Sequence, residues 1–340
     1  MTTLGRPGRR PTFAAVPLAV LAAATVLLAG ACGSASKAGP ADGKPAAAGA
    51  PAAAAGSSAT PGAASTAIPT EDVVSAVQAD PALKAELPAA IAARGTLLLG
   101  TTKTTGQSGL PHAGIDGSGK EVGLDVDLRN AIAKKLGVTW DTQYGTFQTL
   151  IPGTQNGKYD VGWGNFGVTK AREQIVDFAT YLTDGQSFLG ASSVKTDKVA
   201  TLTDLCGYNV ATSPGSTFQQ ILTDGASKCS AAGKDPYKVQ YFADSAPIFL
   251  GLGNGKIDIY FGPTLSLKYD AVHVPDTKFL GQISSTPVGV VVAKGSPLAK
   301  AVSDAVNALI ADGSYAKIFA KWGVADTALA SSQVNPTPNL

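Results

Sequence analysis

The feature that most constrains the fold is an alternation of short apolar runs with helix-like stretches over residues 71–322. In residues 125–136, for example, Leu128, Ile132 and Leu136 are four apart and share one face of a predicted helix. A first strand–helix series ends near residue 190, and a second begins at residue 209. This alternation predicts mainly parallel sheets with helices on both faces. About 250 residues is generous for a single hydrophobic core, which favours two lobes.

The first 31 residues have the pattern of an export signal. Three arginines precede an apolar run over residues 13–28, and small residues then lead to Cys32. This pattern predicts a signal peptide over residues 1–31 rather than a membrane span. The ending L-L-A-G-A-C resembles a bacterial lipoprotein signal, in which Cys32 becomes the lipidated first residue. Cleavage of the same bond by an ordinary signal peptidase is the alternative. The predicted location is therefore the extracytoplasmic face of the cell membrane, or outside the cell if Cys32 carries no lipid.

Both ends of the mature chain are predicted to be unstructured. Residues 32–70 are almost entirely Ala, Gly, Ser, Pro and Thr. Such a segment has too few large apolar side chains to form a core, so it predicts a disordered linker between the membrane anchor and a folded domain. Residues 327–340 are predicted to form a flexible tail.

Charge and cysteine content narrow the function classes. Without the three leader arginines, the chain has 24 basic and 25 acidic residues, and no basic run predicts a nucleic-acid partner. Cys206 and Cys229 form an even pair in an exported chain, which predicts a disulfide. These two cysteines and the scattered His112 and His273 do not have the spacing of metal ligands, so we expect no metal and no cofactor.

The segment N-F-G-V-T-K-A-R-E-Q at residues 165–174 predicts a binding site for an anion. Thr169 can cap a helix, and Arg172 then lies in the first turn, where a cation is badly placed against the helix dipole. A carboxylate held by backbone N–H groups and by the guanidinium would resolve this conflict. The alternative is a surface arginine that pairs with Glu173 or Asp177.

A second helix start at residues 214–219 has the same character. Ser216 and Gln219 have the spacing of a capping box, and Gly215 precedes them. Free N–H groups after a glycine can bind an anion, although an ordinary helix cap is the alternative. Because ligands of open α/β sheets bind at the carboxyl ends of strands, two such helix starts facing a cleft would enclose a small acid.

Residues 162–167 read G-W-G-N-F-G, which matches the dinucleotide-binding pattern G-x-G-x-x-G. We reject this interpretation because the motif lies in the middle of an exported chain. In addition, no strand ending in an acidic residue follows at the distance of a ribose-binding group. The glycines more simply allow a ligand to approach the backbone.

From about residue 88 to residue 323, the chain resembles a family 3 extracellular solute-binding protein, the receptor class of polar amino-acid ABC importers. The resemblance depends on several segments in a fixed order rather than on any one of them. These are G-T-L-L-L-G-T at 95–101, V-G-L-D-V-D-L at 122–128, A-I-A-K-K-L-G-V at 131–138, F-Q-T-L-I-P at 147–152, N-G-K-Y-D-V at 156–161, T-K-A-R-E-Q-I-V-D-F at 169–178, G-N-G-K-I-D at 253–258 and A-D-G-S-Y-A-K-I-F-A-K-W-G at 311–323. The leading L-P-A-A-I-A-A-R-G at 87–95 and the cysteine pair are similar to those of the actinobacterial branch.

The resemblance implies an α/β, periplasmic-binding type II fold with two lobes, each a mainly parallel sheet flanked by helices, and two hinge crossings. Lobe one would comprise residues 71–190 plus 285–326, and lobe two residues 191–284. The lobes would close around a ligand, and the monomeric protein would then dock on an ABC permease.

The resemblance also implies a set of ligand-binding residues. Arg172 would bind a ligand carboxylate beside Thr169, and Phe147 would stack on the apolar part of the ligand. The remaining implied contacts are Asn165, Phe166 and Gly167 in lobe one, and Gly215, Ser216, Thr217, Gly262 and Thr264 in lobe two.

One departure from the family pattern concerns the other end of the ligand. Amino-acid receptors of this family usually carry an Asp after the lobe-two strand, where it pairs with the α-ammonium group, but residues 259–264 read I-Y-F-G-P-T. An unpaired ammonium in a closed cleft would be costly. Asp116, Asp125 or Asp244 could supply the missing charge. Otherwise the ligand is a small organic acid or an amino acid whose amine is shielded.

Two other functions are compatible with this fold. The first is a secreted dehydratase, which needs a general acid in the cleft. No Glu or His falls among the implied site residues, so we expect no catalytic residue and no enzyme activity. The second is a lipoprotein that presents its ligand to a partner sensor.

Overall fold

The computed structural model describes residues 67–340. The predicted signal peptide, Cys32 and the linker up to residue 66 lie outside the described residues.

Ten strands lie within residues 67–340, and eight of them form one sheet. The strands are β1 Thr96–Thr102, β2 Gly114–Ile115, β3 Glu121–Val122, β4 Thr139–Gly145, β5 Val161–Gly167, β6 Val176–Ala191, β7 Asn209–Thr212, β8 Lys238–Tyr241, β9 Ile259–Pro263 and β10 Thr277–Ala293. The sheet order is β4-β1-β5-β10-β6-β9-β7-β8, while β2 and β3 form a separate pair. Pairing is parallel at both ends of this order and antiparallel through β10 and β6.

Eleven α-helices lie in the same range. They are α1 Pro81–Ala85, α2 Ala89–Arg94, α3 Leu124–Leu136, α4 Phe147–Gln155, α5 Lys170–Glu173, α6 Thr217–Asp224, α7 Lys228–Ala231, α8 Ala246–Gly253, α9 Thr264–His273, α10 Leu298–Ala311 and α11 Ser314–Lys321. Short 3-10 segments occur at Leu202–Leu205 and Ala325–Thr327.

Helix α3 shows how the sequence pattern becomes packing. The predicted stripe of Leu128, Ile132 and Leu136 is fully buried, and α3 packs against α10. The helix ends at Gly137, whose φ of 62° is the left-handed conformation that glycine adopts readily after a helix. Local pattern and burial therefore agree over this element.

Two long antiparallel strands, β6 and β10, connect the two halves of the sheet along their whole length. The middle of each strand is polar, so no continuous apolar run marks its full length in the sequence. These polar side chains are nevertheless buried: Asp184 is 4% exposed, Gln186 is 3% exposed and Thr286 is 1% exposed. The middle parts of β6 and β10 therefore have buried polar side chains between the two halves of the sheet.

Buried apolar side chains form separate clusters on the two sides of this crossing. One side holds two clusters from residues 73–182 and 288–324, together with Leu265, and the other side holds one cluster from residues 188–280. Each side has parallel strand pairs covered by helices. The predicted two-lobed α/β fold class is thus confirmed.

The C-terminal residues differ from the flexible tail that the sequence predicts. Val334 forms an antiparallel bridge with Ala179 of β6, and Asn335 Oδ1 accepts a hydrogen bond from the Phe178 N–H at 2.8 Å. Strand β9 pairs only with residues 186–190 of β6, so the first half of β6 has an open edge on that side. The tail covers part of this edge, which explains why a segment of polar composition is held in place.

Cys206 and Cys229 form the predicted disulfide, with their Cα atoms 5.6 Å apart. The bond joins the end of the Leu202–Leu205 segment to α7. Within residues 67–340, no helix combines the length and the apolar character needed to cross a bilayer.

Candidate ligand-binding cleft

Arg172 connects the end of β5 with the turn before α6. Thr169 caps the short helix α5, since its Oγ1 accepts a hydrogen bond from the Arg172 N–H at 3.2 Å. The Arg172 side chain turns back, and its Nη1 donates to the Gly167 carbonyl at 2.9 Å. Its Nη2 donates to the Gly215 carbonyl, on the opposite lobe, at 3.2 Å. One guanidinium therefore bonds to the backbones of both lobes.

The partners of Arg172 are neutral. Burial lowers the pKa of Arg172 to about 10, which leaves the group charged at neutral pH. Its guanidinium carbon lies 5.7 Å from the centre of the Phe147 ring and 5.6 Å from that of Phe166, within cation–π range. Asp177 pairs with Lys294 at 2.8 Å instead, and among residues 67–340 no carboxylate forms an ion pair with Arg172. The surface ion pair that the sequence offers as an alternative is therefore absent from this part of the chain.

The turn before α6 lies close to helix α4. Ser216 caps the helix by accepting from the Gln219 N–H at 3.1 Å, and Gln219 Oε1 accepts from the Gly215 N–H at 2.7 Å. Gly215 has a φ of 73°, and a Cβ added there would lie 3.1 Å from the Cβ of Gln148 in α4. A glycine is needed at this point both for its backbone conformation and for the contact between lobes.

Gly167 makes a similar approach from the other lobe. A Cβ at Gly167 would lie 2.8 Å from Cγ2 of Thr286 and 3.7 Å from Cγ2 of Thr217. Thr217 is the first residue of α6, so the ends of β5 and the start of α6 face each other directly.

Two neighbouring cavities contain most of the predicted site residues. The first, which we call the Arg172 cavity, has a volume of about 760 Å³ and is lined by Thr169, Arg172, Gly215, Ser216 and Thr217 among others. The second, the Phe147 cavity, has a volume of about 240 Å³ and is lined in part by Phe147 and Asn165. Arg172 of the first cavity and Phe147 of the second contact each other, with the guanidinium carbon 5.7 Å from the centre of the ring.

Asn165 has an unusual backbone at the edge of the Phe147 cavity. Its φ of 54° is in the left-handed region, which is uncommon for a residue other than glycine. Its Nδ2 donates to Asp184 Oδ2 at 2.9 Å, and its Oδ1 is buried without a hydrogen-bond partner. Phe166 points away from the cavity: it is fully buried and packs on Phe147 with ring centres 4.8 Å apart.

Gly262 and Thr264 line neither cavity. Thr264 is 5% exposed, and its Oγ1 is 2.5 Å from Ser187 Oγ. A Cβ at Gly262 would meet the ring of Tyr260 at 3.0 Å. Pro263, which lies between them, does line the Phe147 cavity. The structure therefore does not bring Gly262 and Thr264 together with the other predicted residues.

A buried cluster that the sequence did not predict lies beside the Phe147 cavity. His112 Nδ1 is 3.2 Å from Asp125 Oδ1, and His112 Nε2 is 3.1 Å from Asp184 Oδ2. Burial alone lowers the pKa of His112, but the two carboxylates outweigh it and raise the pKa to about 10. Asp184 Oδ1 also accepts from the Leu265 N–H at 3.2 Å, at the start of α9. No short-range motif could have indicated this cluster, because His112 and Asp184 are 72 residues apart.

The glycines of the rejected dinucleotide pattern lie inside β5 rather than at a strand-to-helix turn. A Cβ at Gly162 would lie 2.8 Å from both Thr154 Oγ1 and Val291 Cγ2, so the residue is needed for packing. Among residues 67–340, no group of three or more His, Cys, Asp and Glu side chains is arranged to hold a metal ion.

A family model connects this geometry with known proteins. The model of the bacterial extracellular solute-binding proteins, family 3, matches residues 104–325. The chain belongs to this family. The match covers both lobes and nearly all of the residues discussed above.

Individual solute-binding proteins are similar over most of this chain. The arginine-binding protein ArgT of Corynebacterium glutamicum is 26% identical over 265 residues, which cover 76% of this chain and 84% of ArgT. The structure of an ancestral arginine-binding protein bound to arginine is 32% identical with a TM-score of 0.60, and the match covers 67% of this chain and 98% of that one. The ancestral amino acid-binding protein AncCDT-1, a precursor of cyclohexadienyl dehydratase, is 29% identical with a TM-score of 0.60, over 68% of this chain and 97% of AncCDT-1.

Proposed function

We propose that this protein is an extracytoplasmic lipoprotein, anchored through Cys32, that captures a small carboxylate-bearing amino acid for an ABC importer. Residues 71–190 plus 285–326 form lobe one and residues 191–284 form lobe two. The lobes close around the ligand by hinge motion at the crossing strands, and the closed form delivers it to a permease.

The observation that carries this proposal is the state of Arg172. It is a partly buried cation that bonds to one carbonyl from each lobe and has no acidic partner among the described residues. A guanidinium has five N–H donors, so three remain after these two bonds. A carboxylate is the group that a guanidinium binds best, because the carboxylate accepts two parallel hydrogen bonds and neutralises the charge.

The surroundings of Arg172 support a ligand shared by both lobes. Gly167 and Thr217 approach each other across the cleft, and Gly215 approaches α4. Phe147 offers an aromatic face to the apolar part of a ligand beside the guanidinium. The Phe147 cavity, at about 240 Å³, lies just below the usual range of ligand pockets, about 300–1,000 Å³, so it suits only part of a ligand or a small one.

The similar proteins favour an amino acid, and arginine in particular. ArgT and one of the similar solved structures are named as arginine-binding proteins. We therefore propose a cationic amino acid as the first ligand to test.

An enzyme on this scaffold would need an acid that can reach a substrate. His112 lines the Phe147 cavity, but each of its ring nitrogens already contacts a carboxylate oxygen, of Asp125 and of Asp184. This arrangement favours a structural role for His112 and a binding role for the protein.

Calorimetric titration and thermal unfolding of the purified protein test the proposal. L-Arginine at a hundred times its Kd should add about 2.7 kcal/mol to the free energy of unfolding. Agmatine, which is arginine without the carboxylate, should bind much more weakly. Arg172→Ala should abolish the binding of L-arginine, while Arg94→Ala, which removes an arginine paired with Asp160, should not. If Arg172→Ala binds every tested amino acid as the wild type does, the assigned carboxylate site is wrong.

A further inference from the structure

Five ionisable side chains line the Phe147 cavity, and three of them already have partners of opposite charge. His112 contacts Asp125, and Arg129 pairs with Glu121, which lies outside the lining. The remaining two are Lys103 and Asp244, which form no ion pair with any residue between 67 and 340. Asp244 is therefore the one lining carboxylate whose charge is not already used within the described residues.

Asp244 lies at the carboxyl end of a strand, where ligands of α/β sheets bind. It belongs to the loop between β8 and α8 in lobe two. The next residue, Ser245, has its Oγ 3.2 Å from Ser108 Oγ of lobe one. This contact holds the Asp244 loop against the opposite wall of the cleft, so a carboxylate here can act on a ligand held between the lobes.

Asn165, which also contributes to the lining of this cavity, has a second unpaired acceptor. Asn165 Nδ2 donates to Asp184, and since a carboxylate only accepts, this bond fixes which end of the amide is oxygen. Asn165 Oδ1 is consequently an acceptor that is buried and has no donor. Asp244 is the accessible one of these two acceptors, and a carboxylate without a donor suits a ligand group that carries several N–H bonds and a positive charge.

The other two candidate acids are excluded by their contacts. Asp116 Oδ1 accepts from the Ser118 and Lys120 N–H groups within a turn, and Asp116 lines a different cavity. Asp125 is 7% exposed, with one oxygen at His112 and the other accepting from Tyr181 OH at 3.2 Å. Asp116 therefore lies outside the Phe147 cavity, and both oxygens of Asp125 already have partners.

We propose that Asp244 binds the cationic nitrogen group of the ligand and so replaces the acid that is missing from residues 259–264. This inference depends on the proposed function, because it concerns the same ligand that Arg172 holds by its carboxylate. The ligand class is accordingly an amphoteric molecule with a carboxylate at one end and an ammonium or guanidinium group at the other.

The test is calorimetric titration with three ligands. L-Arginine carries both cationic groups, L-citrulline keeps the ammonium but has a neutral side chain, and the 2-hydroxy analogue of arginine keeps the guanidinium but lacks the ammonium. Asp244→Asn keeps the size of the side chain and removes its charge. We expect it to weaken L-arginine binding by roughly tenfold, at the low end for loss of a charged hydrogen bond because Asp244 is exposed. An equal loss with citrulline assigns Asp244 to the ammonium, and an equal loss with the hydroxy analogue assigns it to the guanidinium.

One matched variant serves as the control. Asp116→Asn makes the same chemical change in a different cavity. It should leave L-arginine affinity unchanged. If Asp244→Asn binds L-arginine within about twofold of the wild type while Arg172→Ala does not bind it, this inference is overturned and the proposed function stands. If the wild type binds none of the three ligands, both are overturned.

Discussion

Replacing His112 by glutamine should flatten the dependence of stability on pH in the alkaline range. The imidazole lies between Asp125 and Asp184, and both contacts are buried. Glutamine can still donate a hydrogen bond but cannot carry the proton. The change therefore removes the titrating group itself, whose pKa Asp125 and Asp184 raise to about 10.

Proton linkage gives the direction in which the free energy of unfolding changes with pH. The pKa of His112 is about 6.5 when unfolded and about 10 when folded, so the folded chain holds the proton more tightly. This stabilisation is fully present below pH 6.5 and is lost as the pH rises towards 10. At about 1.4 kcal/mol per pH unit, the wild type should lose about 2.5 kcal/mol between pH 7.5 and 9.5 from this group alone.

A second buried group titrates in the same window. Asp270 is 1% exposed and its carboxylate oxygens have no hydrogen-bond partner, so burial raises its pKa to about 9. Its folded pKa lies above its unfolded pKa of about 3.8, so this group also lowers stability as the pH rises through 9. A falling curve for the wild type would therefore not identify His112 by itself.

Urea unfolding at pH 7.5, 8.5 and 9.5 separates the two groups. The range stops below the raised pKa values of the buried tyrosines, such as Tyr260 and Tyr315. The free energy of unfolding of His112→Gln should fall by about 2.5 kcal/mol less over this range than that of the wild type, whatever its value at pH 7.5. Parallel curves for the wild type and His112→Gln would show that the imidazole carries no tightly held proton and would refute the reasoning.

Three further predictions use the same unfolding measurement. Asp270→Asn should be more stable than the wild type at pH 7.5, by an amount that increases up to pH 9, and an equal or lower stability would contradict the unpaired carboxyl. Replacing Cys206 and Cys229 by serine should cost about 3 kcal/mol, and an unchanged urea midpoint would show that this loop is not constrained by the disulfide. Gly215→Ala should reduce the stabilisation that L-arginine adds more than Gly207→Ala does, because both have positive φ but only the first has a neighbour, Gln148 Cβ, within 3.1 Å.

The secondary structure was predictable where the chain has regular local patterns. Helix α3 begins one residue before the helix predicted over residues 125–136, and β7 begins at residue 209, where the second predicted series starts. Helix α9 was not predicted, because Leu265, Leu267 and Tyr269 alternate with polar residues as in a strand. Its buried residues include Ser266 and Asp270, so packing on several sides, rather than one apolar face, stabilises this helix.

The site was predictable to the extent that it is local. Thr169 and Arg172 are three residues apart and could be identified as a cap and a cation in one turn. The contact of Arg172 with Gly215, 43 residues away, and the His112–Asp184 contact depend on how the crossing strands bring distant segments together. The sequence could name Asp116, Asp125 and Asp244 as possible anions, but only the hydrogen bonds of the folded chain distinguish among them.

The two proposed ligand contacts differ in what each can contribute. Arg172 is partly buried, and its protein partners are neutral carbonyls, so a carboxylate there gains a strong interaction in a region of reduced screening. Asp244 is exposed and remains hydrated when no cation is near, so its pairing with a ligand yields less. The contact with the ligand carboxylate should therefore provide most of the affinity, while the contact with Asp244 determines which carboxylate-bearing ligands bind more tightly. This asymmetry predicts that loss of Arg172 abolishes binding of all ligands. Loss of Asp244, in contrast, should reduce the difference in affinity between ligands with and without the cationic group that it binds.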